Sequence, residues 1–347
     1  MIRFTMMPGE DGDCLLLEYG DDTVRRRILV DGGRAGTYPR IKPVLAETGG
    51  RIDVLVVTHV DQDHILGVLA MLKDHDKPVT FGDVWFNGYQ HLLNAEAFGA
   101  ADGEQLGTAL VQQKLPWNAA FGGHSIEVGH PPVWFPDGSA VEVLSPDRSQ
   151  LQGLIPIWAK ECARHGLIPG RRPDEIPAVP GFEHFGSAVD VDQLAATVFQ
   201  PDTSRTNLSS IGLLFEFAGK RIILTGDADD RRLVESLRPR AKAAGGRLHV
   251  DILKVAHHGS DHNLSKDLLD LIDCDHYLIS TSGTRHAHPD EVAMARILKY
   301  GRRQKELVFN YRSRAALWDV RTLKHRFGYT VRAPADQQSD GFIRVDL

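Results

Sequence analysis

The sequence predicts an α/β fold, because short apolar runs typical of buried strands alternate along the chain with segments of helical pattern. Three of these runs cover residues 52–57, 220–224 and 250–256. Carboxylate or imidazole side chains follow closely after each run. Open α/β sheets place their functional sites at the carboxyl ends of their strands. We therefore expect one site to which three strand ends contribute.

The first of these strand ends carries the densest group of metal-capable side chains. Within six residues the chain places, in order, His59, Asp61, Asp63 and His64. Four such groups at this spacing repel one another or stay hydrated unless a cation holds them. A polar loop that is rich in histidine and aspartate by chance is the alternative. The other two strand ends weigh against it, because they add Asp227 and the pair His257 and His258.

The remaining elements follow from local patterns of apolar residues and turn residues. Strands are predicted at residues 4–7, 14–19, 27–31, 84–89 and 141–144, and helices at 67–73 and 104–110. A final hairpin is predicted with strands at 317–320 and 342–345. The least regular part of the chain includes residues 150–205, where proline and glycine are frequent, as in many lids and binding loops. We interpret 150–205 as a cap over the site, with disorder as the alternative.

Most of the chain resembles the metallo-β-lactamase superfamily of hydrolases. Within it, the resemblance is to the branch that includes the metallo-hydrolase domain of bacterial competence DNA-uptake proteins. The motifs that carry it are residues 12–14, 29–33, 58–67, 141–146, 207–210, 225–227, 257–260 and 288–289. The resemblance implies a four-layer αβ/βα sandwich, in which two sheets pack face to face with helices outside. Residues 1–347 would then form a single domain, with the cap inserted in it.

The resemblance also implies a dinuclear metal centre. The family's usual His-x-His-x-Asp-His motif has Asp61 in place of its second histidine here, as is common in the competence-like branch. His59 and Asp61 would serve the first metal position, and Asp227 would bridge both. The second position would take Asp63, His64 and His258. His258 fits the family's last ligand because it stands two residues before Ser260.

One family motif is incomplete. The family places a histidine shortly before the strand that leads to Gly-Asp, whereas residues 205–210 hold none. Asn207 could offer its amide oxygen as a weaker ligand, or it could only cap a turn. His257 is a candidate for a further ligand, for a contact to a ligand, or for a contact to the substrate. Without another donor, the first metal position is short of a ligand.

These residue types indicate hydrolysis. Two divalent ions that share a carboxylate lower the pKa of a water between them and stabilise charge on the attacked and leaving oxygens. Asp63 is a candidate for orienting the proton of the nucleophile. His288 is a candidate for protonating the leaving group or donating to a phosphate oxygen, and a structural role at a helix start is its alternative. Zn2+ and Mn2+ both suit a ligand set of carboxylates and imidazoles without cysteine.

Three functions remain open. The first and favoured one is a phosphodiesterase or nuclease that acts on single-stranded DNA or RNA. The second is a hydrolase of a small molecule, such as a lactone, a thioester or a choline phosphoester. The third is a binding protein that kept the fold without turnover, and the incomplete motif is its only support. Further candidate contacts to the substrate are His286, Arg171, Arg172 and Arg312.

Charge and composition narrow these functions. The formal net charge of −6 excludes the global basic field of a protein that coats DNA non-specifically. No apolar run approaches the roughly 20 residues of a membrane helix, and the first residues lack the features of a signal peptide. Cys14, Cys162 and Cys274 are scattered, which fits a reducing compartment. We expect a cytoplasmic protein without a membrane partner.

Overall fold

The computed structural model describes residues 1–21, 23–93, 101–164 and 189–347, without the side chains of residues 93, 101, 161, 163 and 164. Its strands are β1 (Ile2–Met6), β2 (Leu15–Gly20), β3 (Arg25–Val30), β4 (Arg51–Val56), β5 (Thr80–Trp85), β6 (Val133–Trp134), β7 (Ala140–Ser145), β8 (Gly212–Phe217), β9 (Lys220–Leu224), β10 (Leu248–Lys254), β11 (Ile272–Ile279), β12 (Lys305–Phe309), β13 (Tyr329–Arg332) and β14 (Ile343–Asp346). Its helices are α1 (Thr37–Ala46), α2 (Gln62–Lys73), α3 (Tyr89–Leu93), α4 (Ala101–Gln112), α5 (Arg148–Arg164), α6 (Val191–Ala195), α7 (Arg205–Leu208), α8 (Asp230–Ala243), α9 (Lys266–Leu271), α10 (Glu291–Tyr300), α11 (Arg312–Ala316) and α12 (Arg321–Phe327).

The strands form two mixed sheets. The six-stranded sheet has the order β14-β1-β2-β3-β4-β5, and the eight-stranded sheet has the order β13-β12-β11-β10-β9-β8-β7-β6. The strands that lead to the predicted site belong to the parallel parts, with β4 between β3 and β5 and with β10 between β9 and β11. Parallel neighbours end at the same edge of a sheet, so the segments after β9 and β10 start side by side.

Three hydrophobic cores separate four layers, which confirms the predicted αβ/βα sandwich. One core packs α1, α2, α4 and α5 on the six-stranded sheet, a second fills the space between the sheets, and a third packs α8, α9 and α10 on the eight-stranded sheet. Neighbouring residues of a strand serve different cores, since side chains alternate across a sheet. Leu16 thus belongs to the first core and Leu17 to the second. Strands buried on both faces read as continuous apolar runs.

Two glycines let α2 approach the loop after β3. The amide of Gly32 donates to the carbonyl of His64 at 2.9 Å, and the amide of Gly67 donates to the carbonyl of Gly33 at 2.8 Å. A Cβ on Gly67 would lie 1.8 Å from the carbonyl oxygen of Gly32. This backbone contact fixes the first turn of α2, which carries Asp63 and His64, against the end of β3.

Two predicted segments differ from the structure. Residues 150–164 of the expected cap lie in α5. Leu151, Leu154 and Trp158 are buried in the core between the helices and the six-stranded sheet. Pro156 and the polar residues of α5 hide its apolar stripe in the sequence. The rest of the cap to residue 188 lies outside the described residues, and the cap itself stays a prediction.

The predicted final hairpin is wrong. Residues 317–320 connect α11 to α12, because the amide of Trp318 still donates to the carbonyl of Ala315 and its ring is buried. The other predicted strand of the hairpin, β14, pairs with β1 in the six-stranded sheet. An apolar run of four residues suits a helical turn with one anchoring ring as well as a strand.

Two further features concern the length of the helices and the state of the cysteines. In the parts of the chain that the structure describes, no helix combines the length and apolar character needed to cross a bilayer. The three cysteines are buried and free of disulfides. The cytoplasmic location stays a prediction.

We predict that Gly67→Ala lowers stability. Alanine in a helix interior normally stabilises by about 1 kcal/mol relative to glycine, but here the added carbon meets the backbone of Gly32. Overpacking of this kind costs about 1–3 kcal/mol, so thermal and urea denaturation should show a lower midpoint. Gly36→Ala is the control, because its Cβ would meet only the end of the Glu10 side chain. A Gly67→Ala midpoint equal to or above that of the wild type would contradict the close contact.

Candidate metal centre

Three loops meet at the ends of β4, β9 and β10. The first loop leads into α2, where Asp61 occupies the residue before the helix with extended backbone (φ −70°, ψ 145°). The second loop carries Asp227 after Gly226, whose φ of +52° suits glycine. The third loop carries His257 and His258, both with left-handed backbone (φ 45° and 56°). These local conformations direct imidazoles and carboxylates from all three loops to one point.

Asp227 lies at the centre of this cluster. Its Oδ2 is 3.4 Å from Nε2 of His64, 3.8 Å from Nε2 of His59 and 3.7 Å from Nε2 of His257. Its Oδ1 is 3.7 Å from Nε2 of His258. For ions bound at about 2.1 Å in tetrahedral geometry, neighbouring ligand atoms lie roughly 3.4 Å apart. The spacing of the cluster therefore suits ligands that share ions.

Four of these ligand atoms are buried without a hydrogen bond. They are Oδ1 of Asp227 and the Nε2 atoms of His59, His64 and His258, and none has a partner among the described residues. Buried polar atoms are nearly always hydrogen-bonded, because an unpaired one keeps its full desolvation cost. Divalent cations between these oxygen and nitrogen atoms would coordinate all four of them and so offset the cost of their burial.

The second ring nitrogen of each buried histidine is held by the protein. Nδ1 of His64 lies 2.7 Å from Oδ2 of Asp31, which also accepts the hydroxyl proton of Thr58 at 2.7 Å. The oxygen of that hydroxyl is then free to accept from Nδ1 of His59 at 3.0 Å. Nδ1 of His258 donates to the carbonyl of Ser280 at 2.9 Å. A proton held at Nδ1 leaves Nε2 as the nitrogen whose lone pair can bind a metal, the usual arrangement of histidine ligands.

The electrostatics also favour a cation. Burial alone would raise the pKa of Asp227, but the nearby imidazoles outweigh it and hold that pKa well below the usual range. Burial would lower the pKa of His64, but the carboxylates of Asp227 and Asp31 raise it well above 6.5. The pKa of His257 is raised to about 9, because Asp227 and Asp202 outweigh burial. The cluster thus stabilises positive charge at its centre.

The other predicted ligands lie at the rim of the cluster. The carboxylate of Asp61 is 37% exposed, lies 3.5 Å from Nε2 of His59 and accepts from the hydroxyl of Thr206 at 2.9 Å. Asp63 lies 3.7 Å from Nε2 of His258 and 3.9 Å from Nε2 of His64. His64 thus stands between the two predicted positions.

Asn207 contacts Asp202 and lies near His257. Its amide nitrogen donates to Asp202 at 2.7 Å, and the same carboxylate lies 3.5 Å from Nδ1 of His257. The residue at the incomplete motif therefore reaches the outer side of His257 through Asp202.

The predicted substrate residues differ in whether they lie beside the cluster. His288 lies beside the cluster, with its ring 5.3 Å from that of His257 and its Nδ1 3.1 Å from Asp290. His286 is exposed and stacks on His288 at 5.9 Å. Arg312 donates to the carbonyls of Pro334 and Ala335 and is not brought to the cluster. Arg171 and Arg172 lie outside the described residues.

Asp13 has a buried partner that sequence reasoning missed. Lys254 at the end of β10 forms a buried ion pair with Asp13 at 2.5 Å, and Asp13 is 3.5 Å from Nδ1 of His258. Burial would raise the pKa of Asp13, but Lys254, His258 and His64 together outweigh it and the pKa is lowered. The signal available in the sequence was a lysine within an apolar strand.

Comparison with known proteins supports the family resemblance over part of the chain. Residues 7–97, which hold β2 to β5 and the first ligand loop, match the model of the metallo-beta-lactamase superfamily. No curated protein matches the chain significantly by sequence.

Solved structures show similarity at low identity. One is Zn2+-bound PqqB from Methylobacterium extorquens, with 13% identity, a TM-score of 0.43, and coverage of 99% of this chain and 100% of that one. Another is a candidate metal-dependent hydrolase from Parabacteroides distasonis, with 13% identity, a TM-score of 0.38, and coverage of 96% and 91%. The competence branch stays a hypothesis.

We predict that Asp31→Asn weakens metal binding. An amide cannot hold Nδ1 of His64 in its protonated form as the carboxylate does, so Nε2 would lose its lone pair to the other tautomer. Loss of such an orienting partner typically costs 10–100-fold in metal affinity. Competition for Zn2+ with a chelating dye measures the change. Asp83→Asn is the control, because this buried carboxylate binds Trp85 and backbone amides. Equal affinities in Asp31→Asn and wild type would rule out the orienting role.

Proposed function

We propose that this protein is a metal-dependent hydrolase with a dinuclear centre. The observation that carries the proposal is the group of buried, unpaired ligand atoms around Asp227. The match of residues 7–97 to the metallo-beta-lactamase superfamily supports the same class of activity. A protein that kept this fold without metal would have no need to keep such costly unpaired atoms.

The ligands divide around Asp227. His59 and Asp61 would hold the first ion, and Asp63, His64 and His258 would hold the second. Asp227 would contribute to both. When bound, the ions would supply Lewis acidity and lower the pKa of a water towards neutrality. The ligand set is richer in carboxylates than an all-histidine site, so Mn2+ is proposed beside Zn2+.

Two residues of the chain have further roles. Asp63 is partly exposed, so its carboxylate faces both the cluster and the entering substrate and can orient the proton of a nucleophilic water. His288 lies one ring further out, and Asp290 fixes its Nδ1. Its Nε2 would then be the group that protonates a leaving oxygen.

We propose that the substrate is a phosphodiester of single-stranded DNA or RNA. Exposed cationic or imidazole side chains neighbour residues of the site: Arg205 precedes the Thr206 that binds Asp61, and Arg285 and His286 precede His288, on which His286 stacks. Such groups suit the contacts to successive phosphates. The overall charge of −6 favours the alternative, a small ester or small phosphodiester.

Cleavage of end-labelled single-stranded DNA and RNA tests the proposal. With added Mn2+ or Zn2+, the wild type should cleave, and Asp63→Ala or His64→Ala should lose at least about 100-fold of the rate. His249→Ala is the matched control. His249 forms a separate group with Asp251 and Asp275, and it lies near the start of β10, whereas the candidate site follows the end of that strand. That variant should keep the wild-type rate.

The dependence on length and salt separates the two substrate classes. A nuclease should cleave oligonucleotides far better than bis(p-nitrophenyl) phosphate, and binding should weaken steeply as salt rises. Metal-dependent hydrolysis of small esters without either trend would overturn the nucleic-acid proposal and favour the alternative. Absence of hydrolysis of every class by the metal-loaded protein would overturn the assignment as a hydrolase.

We predict that His288→Ala acts selectively on poor leaving groups. The variant should lose about 100-fold or more on an oligonucleotide, whose leaving alkoxide needs a proton. It should lose little on bis(p-nitrophenyl) phosphate, whose leaving phenolate does not. His286→Ala removes the exposed neighbouring imidazole and should leave the ratio of the two rates near that of the wild type. An equal loss on both substrates in His288→Ala would exclude proton donation.

A further inference from the structure

The first metal position lacks a donor at the point where the family supplies a histidine. His59 and Asp61 face this position from one loop, and Asp227 contributes Oδ2. Asn207, which stands at the incomplete motif, is occupied with Asp202 through its amide nitrogen at 2.7 Å. His64 also approaches Oδ2, but it belongs with Asp63 and His258 at the second position. The first position therefore needs a strong donor from another part of the chain.

We infer that His257 is that donor and binds the first ion through Nε2. The inference rests on the proposed dinuclear centre. Nε2 of His257 lies 3.7 Å from Oδ2 of Asp227, the same oxygen that lies 3.8 Å from Nε2 of His59. The neighbouring His258 instead approaches Oδ1, at 3.7 Å. The two adjacent histidines thus address different oxygens of the bridging carboxylate, one for each ion.

The backbone of the third loop supports this division. His257 and His258 are consecutive residues with left-handed backbone, a conformation that residues other than glycine rarely adopt. The amide of His257 donates to the carbonyl of Gly226 at 3.0 Å, beside Asp227. This unusual turn directs both imidazoles to the same carboxylate, with the rings 6.0 Å apart and 70° to each other. An ordinary extended loop would direct successive side chains to opposite sides.

The outer side of His257 has the contacts of a ligand histidine. Its Nδ1 lies 3.0 Å from Oδ1 of Asn263. The amide nitrogen of Asn263 is committed as a donor to the carbonyls of Asp227 and Ala228, both at 3.2 Å. The amide oxygen must therefore accept, so Nδ1 of His257 carries a proton, and a bound cation would take the place of a proton at Nε2. The same orienting contact holds the other buried histidines of the cluster.

A contact of His257 to the substrate alone is the competing interpretation, because its side chain is 26% exposed. Metal content distinguishes the two without any assay of activity. His257→Gly is the variant of choice, since glycine readily adopts the φ of +45° at this residue. His288→Ala removes the neighbouring imidazole, which contacts Asp290, and is the matched control.

The experiment titrates metal-free protein with Zn2+ against a chelating dye and repeats the titration with Co2+ by visible absorption. Wild type and His288→Ala should bind two ions. His257→Gly should keep one and hold the other at least about tenfold more weakly, with a changed Co2+ spectrum. Added imidazole should restore that spectrum in His257→Gly and leave His288→Ala unaltered.

The outcomes separate this inference from the proposed function. Two ions of wild-type affinity and an unaltered Co2+ spectrum in His257→Gly would overturn the role of His257 and leave the dinuclear centre in place. Failure of the wild type to bind any divalent ion would overturn both. Circular dichroism and thermal melting of the metal-free proteins check folding. If His257→Gly is unfolded, Asn263→Leu tests the same inference, because it removes the acceptor of Nδ1 and should weaken one ion only.

Discussion

The structure depends on how the buried carboxylate of Asp227 is compensated. A carboxylate removed from water is costly unless opposite charge or hydrogen bonds surround it. Here four imidazoles approach its two oxygens at 3.4–3.8 Å, and they come from the ends of β4 and β10. Because three of these Nε2 atoms are buried and unpaired, imidazoles alone leave the cluster incomplete. Divalent ions between the rings and the carboxylate would complete it, and the rest of the site is arranged for that purpose.

The residues around the cluster act mainly by holding Nδ1 of the histidines, the ring nitrogen that lies away from Asp227. Asp31 after β3 holds His64, and the carbonyl of Ser280 after β11 holds His258. The loop after β3 is itself fixed to α2 through Gly32 and Gly67. Both sheets thus contribute to the orientation of the ligands. This explains why buried polar residues far apart in sequence gather at the one edge where the strand ends meet.

The sequence predicted those parts of the site that depend on local order. The candidate ligand loop after β4 could be predicted because its four polar residues lie within six positions and follow a buried strand. The role of His257 was left open, since it depends on a left-handed turn and on Asn263, which lies six residues away. The pairing of Lys254 with Asp13 could not be predicted either, because it joins residues more than two hundred positions apart. The helix α5 was missed since Pro156 and polar side chains obscure its buried face, and residues 317–320 were wrongly assigned as a strand because a short apolar run does not specify its backbone.

Anomalous diffraction from crystals of the protein loaded with Zn2+ or Mn2+ shows whether ions bind at Asp227. We expect two anomalous peaks on opposite sides of the Asp227 carboxylate. Their ligand nitrogens should lie at about 2.0–2.1 Å for zinc, with His59 and His257 on one ion and His258 on the other. Loaded crystals without a peak at Asp227, in which the Nε2 atoms are hydrogen-bonded to water or to protein, would contradict it.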